Sequence, residues 1–124
     1  MRMAAVIDEQ WRITRLPDGS EIVLFDTESG RVEIEHNRGH DLEKDRRPTT
    51  VRQLVEMGAD VVCVVPEALC DRSYQQAREA GIRFLDVEEG TPWQEVLDLA
   101  HEGALHPHET TSQPLFRPRV GPQP

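Results

Sequence analysis

Cys70, His36 and His40 are the residues of this 124-residue chain whose types point most directly to metal chemistry. A thiolate with neutral imidazoles is the mixed sulfur and nitrogen set that iron and zinc accept. Cys70 stands between an apolar run and a helix-forming stretch, where a helix N-terminal dipole favours the thiolate. His36 and His40 border a polar stretch and reach Cys70 only if that stretch folds over a sheet end. In the competing account Cys70 is a small packing residue, His36 ends a strand and His40 is solvated. Trp11, Arg12 and Arg15 form a second set, a positive spot in an acidic chain suited to an anionic ligand, with Asp8 beside them. The ordinary alternative is a solvated loop whose arginines pair with the abundant carboxylates. Cys63, inside a valine-rich run, reads as core. His101, His106 and His108 cluster near the C-terminus, but Pro107 denies them helical spacing, so adventitious metal capture is as good an account as function.

These side chains need a scaffold to position them. Residues 3–7 are a short apolar run ended by Asp8, the length of a buried strand. Residues 9–20 read as a loop around Asp18-Gly19, whose glycine suits the positive φ of a tight turn. Residues 22–25 predict a second strand, and Asp26-Thr27-Glu28-Ser29-Gly30 the polar connection of a hairpin. Val32, Ile34 and His36 then alternate with Arg31, Glu33 and Glu35, the period of a strand with one wet face, and that charge suits a sheet edge. Residues 37–47 have no period and read as an exposed loop.

Thr50 and Gln53 have capping-box spacing, Val51, Leu54 and Val55 share a helical face, and Gly58 marks the stop. The uninterrupted run Val61-Val62-Cys63-Val64-Val65 predicts a strand covered on both faces. The unit recurs with Ser73 and Gln76 as caps, Tyr74 and Ala77 on one face, Gly81 as the stop and residues 82–87 as a strand. Thr91 as cap, with Pro92 and Gln94, opens a last helix that uses Trp93, Val96, Leu97 and Ala100, and Gly103 closes it.

Composition narrows the function. The formal charge is −9, from 14 basic and 23 acidic residues, a field that repels phosphate backbones and anionic lipid heads. Nucleic acid and membrane are therefore excluded as expected partners. No apolar run approaches the roughly 20 residues that span a bilayer, and Asp8 comes too early for a signal peptide, so a cytoplasmic location is expected. Two reduced thiols fit that compartment. The domain boundary is expected near Gly103: residues 1–103 form the α/β domain, and residues 104–124, with five of the nine prolines, read as a disordered tail. The tail carries a net +1, which leaves −10 on the folded part.

The order β-β-β-α-β-α-β-α predicts an antiparallel meander feeding two crossovers, a mixed five-stranded α/β sheet with helices on its faces. That is the order of a ribonuclease H-like fold. A flavodoxin-like sheet needs a helix where the Asp26 to Gly30 connection is too short for one. Leu54-Val55-Glu56-Met57-Gly58-Ala59-Asp60-Val61-Val62, followed by Ala77-Arg78-Glu79-Ala80-Gly81-Ile82-Arg83-Phe84-Leu85, looks like paired helix-glycine-strand units. With these and the hairpin strand at residues 22–26, the chain resembles the dinitrogenase iron-molybdenum cofactor biosynthesis family over roughly residues 1–100. Many members carry a His-Phe-Gly motif after the first strand, where this chain reads Glu9-Gln10-Trp11-Arg12-Ile13-Thr14-Arg15. Pro66-Glu67-Ala68-Leu69-Cys70 replaces the family's glycine-rich turn after the central strand.

The resemblance implies a non-catalytic domain that binds or carries an iron-sulfur or iron-molybdenum cluster, with a cluster-handling protein as partner. The expected ligand site lies at the sheet end, with Asp8, Trp11, Arg12, Arg15 and Cys70 toward the cofactor and Cys70, His36 and His40 toward a metal. A second reading is an interaction scaffold that has lost cluster binding and docks through Pro114-Leu115-Phe116-Arg117-Pro118-Arg119, with Leu115 and Phe116 as anchors. A third is a magnesium-dependent nuclease holding metal on Asp8, Glu56 and Glu67 or Asp71. The absence of a basic surface argues against that one.

Overall fold

The computed structural model of the chain describes residues 1–118. Five strands and three helices follow in order: β1 Arg2–Ile7, β2 Glu21–Asp26, β3 Val32–His36, α1 Arg46–Glu56, β4 Val61–Val64, α2 Asp71–Glu79, β5 Arg83–Asp86 and α3 Trp93–His101. They make one mixed sheet in the order β3-β2-β1-β4-β5. β1, β2 and β3 pair antiparallel as a meander, while β1 with β4 and β4 with β5 are parallel. The predicted ribonuclease H-like order is thus the observed one.

The valine-rich run is internal, as its unbroken apolar pattern requires, and every residue of β4 is buried. α1 and α2 pack together on one face: Gln53 of α1 donates to Glu35 at 3.2 Å, and Tyr74 of α2 lies 5.3 Å from Phe84. Alternation along the strands turns Phe25 to the other face, where its ring meets His101 of α3 edge-on at 6.0 Å. β3 stands at the rim and is mostly exposed, in keeping with its charge.

Several local expectations are corrected. Residues 37–47 are not one exposed loop: Asn37, fully buried, caps a 3-10 turn at Arg38–Asp41, and α1 begins at Arg46, a turn before Thr50. Thr50 and Gln53 are not a capping pair because they are buried and committed to tertiary bonds. Thr50 donates to Asn37 at 2.8 Å, and Gln53 accepts from Arg38 N–H at 2.9 Å and donates to the His36 carbonyl at 2.7 Å. In α2 the cap is Cys70 and Ser73 is its third residue. In α3 the cap moves from Thr91 to Pro92.

Gly19 is required for space rather than for a positive φ. A Cβ there would sit 2.5 Å from the Ile7 carbonyl oxygen and 2.6 Å from Val6. The loop it belongs to also carries core, since Ile13 and Leu16 are buried.

Residues 104–118, read from composition as a tail, run back along the sheet. His108 exchanges both backbone hydrogen bonds with Phe84 on the free edge of β5, at 2.8 and 2.7 Å. Thr111 and Ser112 bond the Asp86 carboxylate, and Gln113 Nε2 donates to the Val64 and Val87 carbonyls at 3.1 and 2.9 Å. Glu67 N–H donates to Pro114 O at 2.8 Å and Phe116 N–H to Leu69 O at 2.7 Å. Composition alone hid this, because the segment is held by polar groups that the strand ends leave open. Arg119 of the expected docking motif lies outside the described residues.

Candidate functional site

The parallel strands direct their C-terminal ends to one side, where the chain leaves β1 toward β2 and leaves β4 toward β5. Loops diverging from neighbouring parallel strands leave a crevice, the usual ligand position in such sheets. Two loops shape it here, residues 8–13 and 65–70.

In the first loop, Asp8 accepts at one oxygen from the N–H groups of Gln10 and Arg12, at 2.9 and 3.0 Å. Its carboxylate therefore folds the turn, and Trp11 takes φ 60 within it and remains 43% exposed. Arg12 is exposed and bridges Pro92 through its backbone. Arg15 is neutralised by Asp18 and Glu89, each at 3.4 Å. A cavity of about 310 Å³ opens beside this loop, lined by Asp8, Glu9, Gln10, Asp18, Ser20 and His40. With three carboxylates on its wall, it attracts cations and repels anions.

The second loop builds a different place. Glu67 takes φ 62, and the chain enters α2 through Cys70. Cys70 and Ser73 form a reciprocal cap: Cys70 N–H donates to Ser73 Oγ at 2.9 Å and Ser73 N–H to Cys70 Sγ at 3.4 Å. Arg47, at the start of α1, spans the gap to this loop. Its guanidinium donates to the Glu67 carbonyl at 2.8 Å and the Ala68 carbonyl at 3.1 Å, and lies 3.9 Å from the centre of the Phe116 ring. Burial is the main cause that lowers the Arg47 pKa. Around half-buried Cys70 is a cavity of about 570 Å³, whose wall carries Lys44, Arg46, Arg47 and Arg72 against Glu43 and Asp45.

The expected single site is thus divided. Asp8 and His40 share the acidic cavity; Cys70 belongs to the cationic one. His36 Nε2 is 2.5 Å from Asp41, and His40 Nδ1 is 2.9 Å from the Pro17 carbonyl, so neither imidazole is brought to Cys70. Among the described residues, no three His, Cys, Asp or Glu side chains are grouped to hold a metal. The nuclease set is scattered as well. Glu56 ends α1 beside Arg38, near the start of β1, where Arg2 bonds the Met57 carbonyl, and Asp8 is at the other end of that strand. Cys63 is sealed in the core, and burial pushes its thiol up to about 12.

Arg47 and Gln113 were not foreseen. Arg47 looked like one more charge in a polar stretch, and Gln113 lies among serine and proline. The one available signal was Phe116, a large aromatic in an otherwise polar tail. The anchors Leu115 and Phe116 are engaged within the chain itself, half-buried against the core and Arg47.

Among the described residues, no helix is long and apolar enough to cross a membrane. No curated protein matches the chain in sequence. Solved structures do match in fold. The apo form of the orange protein from Desulfovibrio gigas has a TM-score of 0.75 at 16% identity, over 93% of this chain and 96% of that one. A Thermotoga protein assigned as NifB gives 0.65 at 25% identity, over 90% and 97%. A Methanocaldococcus jannaschii protein assigned as a dinitrogenase gives 0.58 at 15% identity, over 92% and 97%. The profile described as dinitrogenase iron-molybdenum cofactor matches residues 15–103, most of the chain and all of α1, β4, α2, β5 and α3, and the protein belongs to that family.

Proposed function

We infer that this chain is a small non-catalytic domain that receives an anionic iron-sulfur or iron-molybdenum species as cargo in the cationic cavity, with Cys70 as its thiolate contact. The observation that carries this reading is the charge around Cys70. In a chain of net −9, four cationic side chains against two carboxylates line the cavity that includes Cys70. Metal-sulfur clusters are soft and commonly anionic, so a thiolate in a positive surround complements them. The donor set fits docking through one sulfur rather than a closed cage, since among the described residues the cavity lining holds Cys70 and no other cysteine or histidine. Remaining ligands then belong to the cargo or to the protein that delivers it. Family membership, and likeness to proteins described as NifB and dinitrogenase, support the cargo class.

Cys70→Ser tests the reading cleanly, because a serine hydroxyl caps a helix as well as the thiol does and the fold should persist. After anaerobic incubation with ferrous iron and sulfide, with and without molybdate, the wild type should gain sulfur-to-iron charge-transfer absorption and the variant should lose it. Equal bound iron and equal absorption in the two proteins would refute Cys70 as the contact.

A further inference from the structure

The C-terminal segment crosses the place just assigned to cargo. From His108 to Phe116 it runs along β5, over the C-terminal ends of β4 and β5, and down the loop to Cys70, which Phe116 pairs in a parallel bridge. Phe116 and Pro118 form part of the wall of the Cys70 cavity. None of residues 104–118 is fully buried, and the segment is held mainly by hydrogen bonds, with half-buried Leu115 and Phe116 as its apolar contacts between residues 108 and 118. Elements held in this way open locally at a free-energy cost well below that of global unfolding. The segment also lies outside residues 15–103, the stretch that matches the family.

We propose that residues 108–118 are a self-supplied peptide strap that gates the Cys70 cavity. Closed, the strap occupies the Val64 and Val87 carbonyls through Gln113, occupies Glu67 N–H through Pro114, and stacks Phe116 on Arg47. Lifted, it frees Glu67 N–H and one face of the Arg47 guanidinium beside the thiol, which adds donors where an anion would sit. Strap and incoming ligand therefore compete for the same groups. Any partner that draws the segment away opens the cavity. The identity of the ligand rests on the cargo reading above; the gate itself does not, and is measured without a cluster.

The test is made on the full chain with Gln113→Ala and Phe116→Ala combined. Reaction of Cys70 with an aromatic disulfide should accelerate about tenfold, and amide exchange at Phe84 and Glu67 should rise by a similar factor, with Val62 exchange unchanged. A Cys70→Ser control identifies the reacting thiol. Unchanged Cys70 reactivity overturns the gate, whether or not the exchange rates rise. Acceleration at Val62 as well overturns it too, because the segment would then belong to the cooperative core. Neither result bears on cluster uptake, which the Cys70→Ser reconstitution decides separately.

Discussion

Two cavities open at the same end of the sheet, one walled by Asp8, Glu9 and Asp18, the other by Lys44, Arg46, Arg47 and Arg72. The difference between them shows that net charge predicts local field poorly. A chain of −9 repels phosphate at long range, yet its cationic residues meet where α1 and α2 begin. The acidic cavity is built by a loop that folds on its own carboxylate, Asp8. The cationic one is built by contacts between elements distant in the chain, with Arg47 joining α1, the β4 to α2 loop and Phe116.

The greatest loss is expected from the core beneath α2, the helix that Cys70 caps. Phe84 is 1% exposed, packs on Tyr74 and pairs with His108, so Phe84→Ala should cost about 3–5 kcal/mol in urea unfolding. A loss under about 1 kcal/mol would place that ring outside the core. The acidic side depends on Asn37, whose side chain donates to the Leu16 and Gly19 carbonyls at 2.7 and 2.9 Å and accepts from Thr50 at 2.8 Å. Asn37→Ala strands those buried groups and should cost about 2–3 kcal/mol in the same assay. Arg72→Glu makes the smallest change. Arg72 is exposed and pairs with Asp45 at 2.9 Å, so stability should hold while molybdate binding, measured by calorimetry, weakens several-fold and its salt dependence shrinks. Equal binding by the two proteins would remove the cationic cavity as the anion's destination.

Architecture was legible in the chain and the site was not. The runs at 3–7, 22–25 and 61–65, the alternation at 32–36 and the stops at Gly58 and Gly81 each name an element from neighbours in sequence, and each element is present. The caps misled because a polar residue at capping spacing can serve a distant partner equally well, as Thr50 and Gln53 do. Gly19 misled in the same way, since a turn and a close approach ask for the same residue. Cys70 lies at a helix start, as its place before a helix-forming stretch indicates, but its neighbours depend on how the loops fold over the sheet end. Spatially it has Arg47 and Phe116, 23 and 46 positions away, instead of Asp8 and the histidines.

Periodicity and glycine placement determined the strands, helices and their order, because these depend on interactions a few residues in range. Only the folded chain decided which charges share a cavity and that the tail returns to the sheet. The charges meet where loops distant in the chain converge. The tail returns because the β5 edge and the strand ends leave hydrogen-bonding groups open, which must find partners.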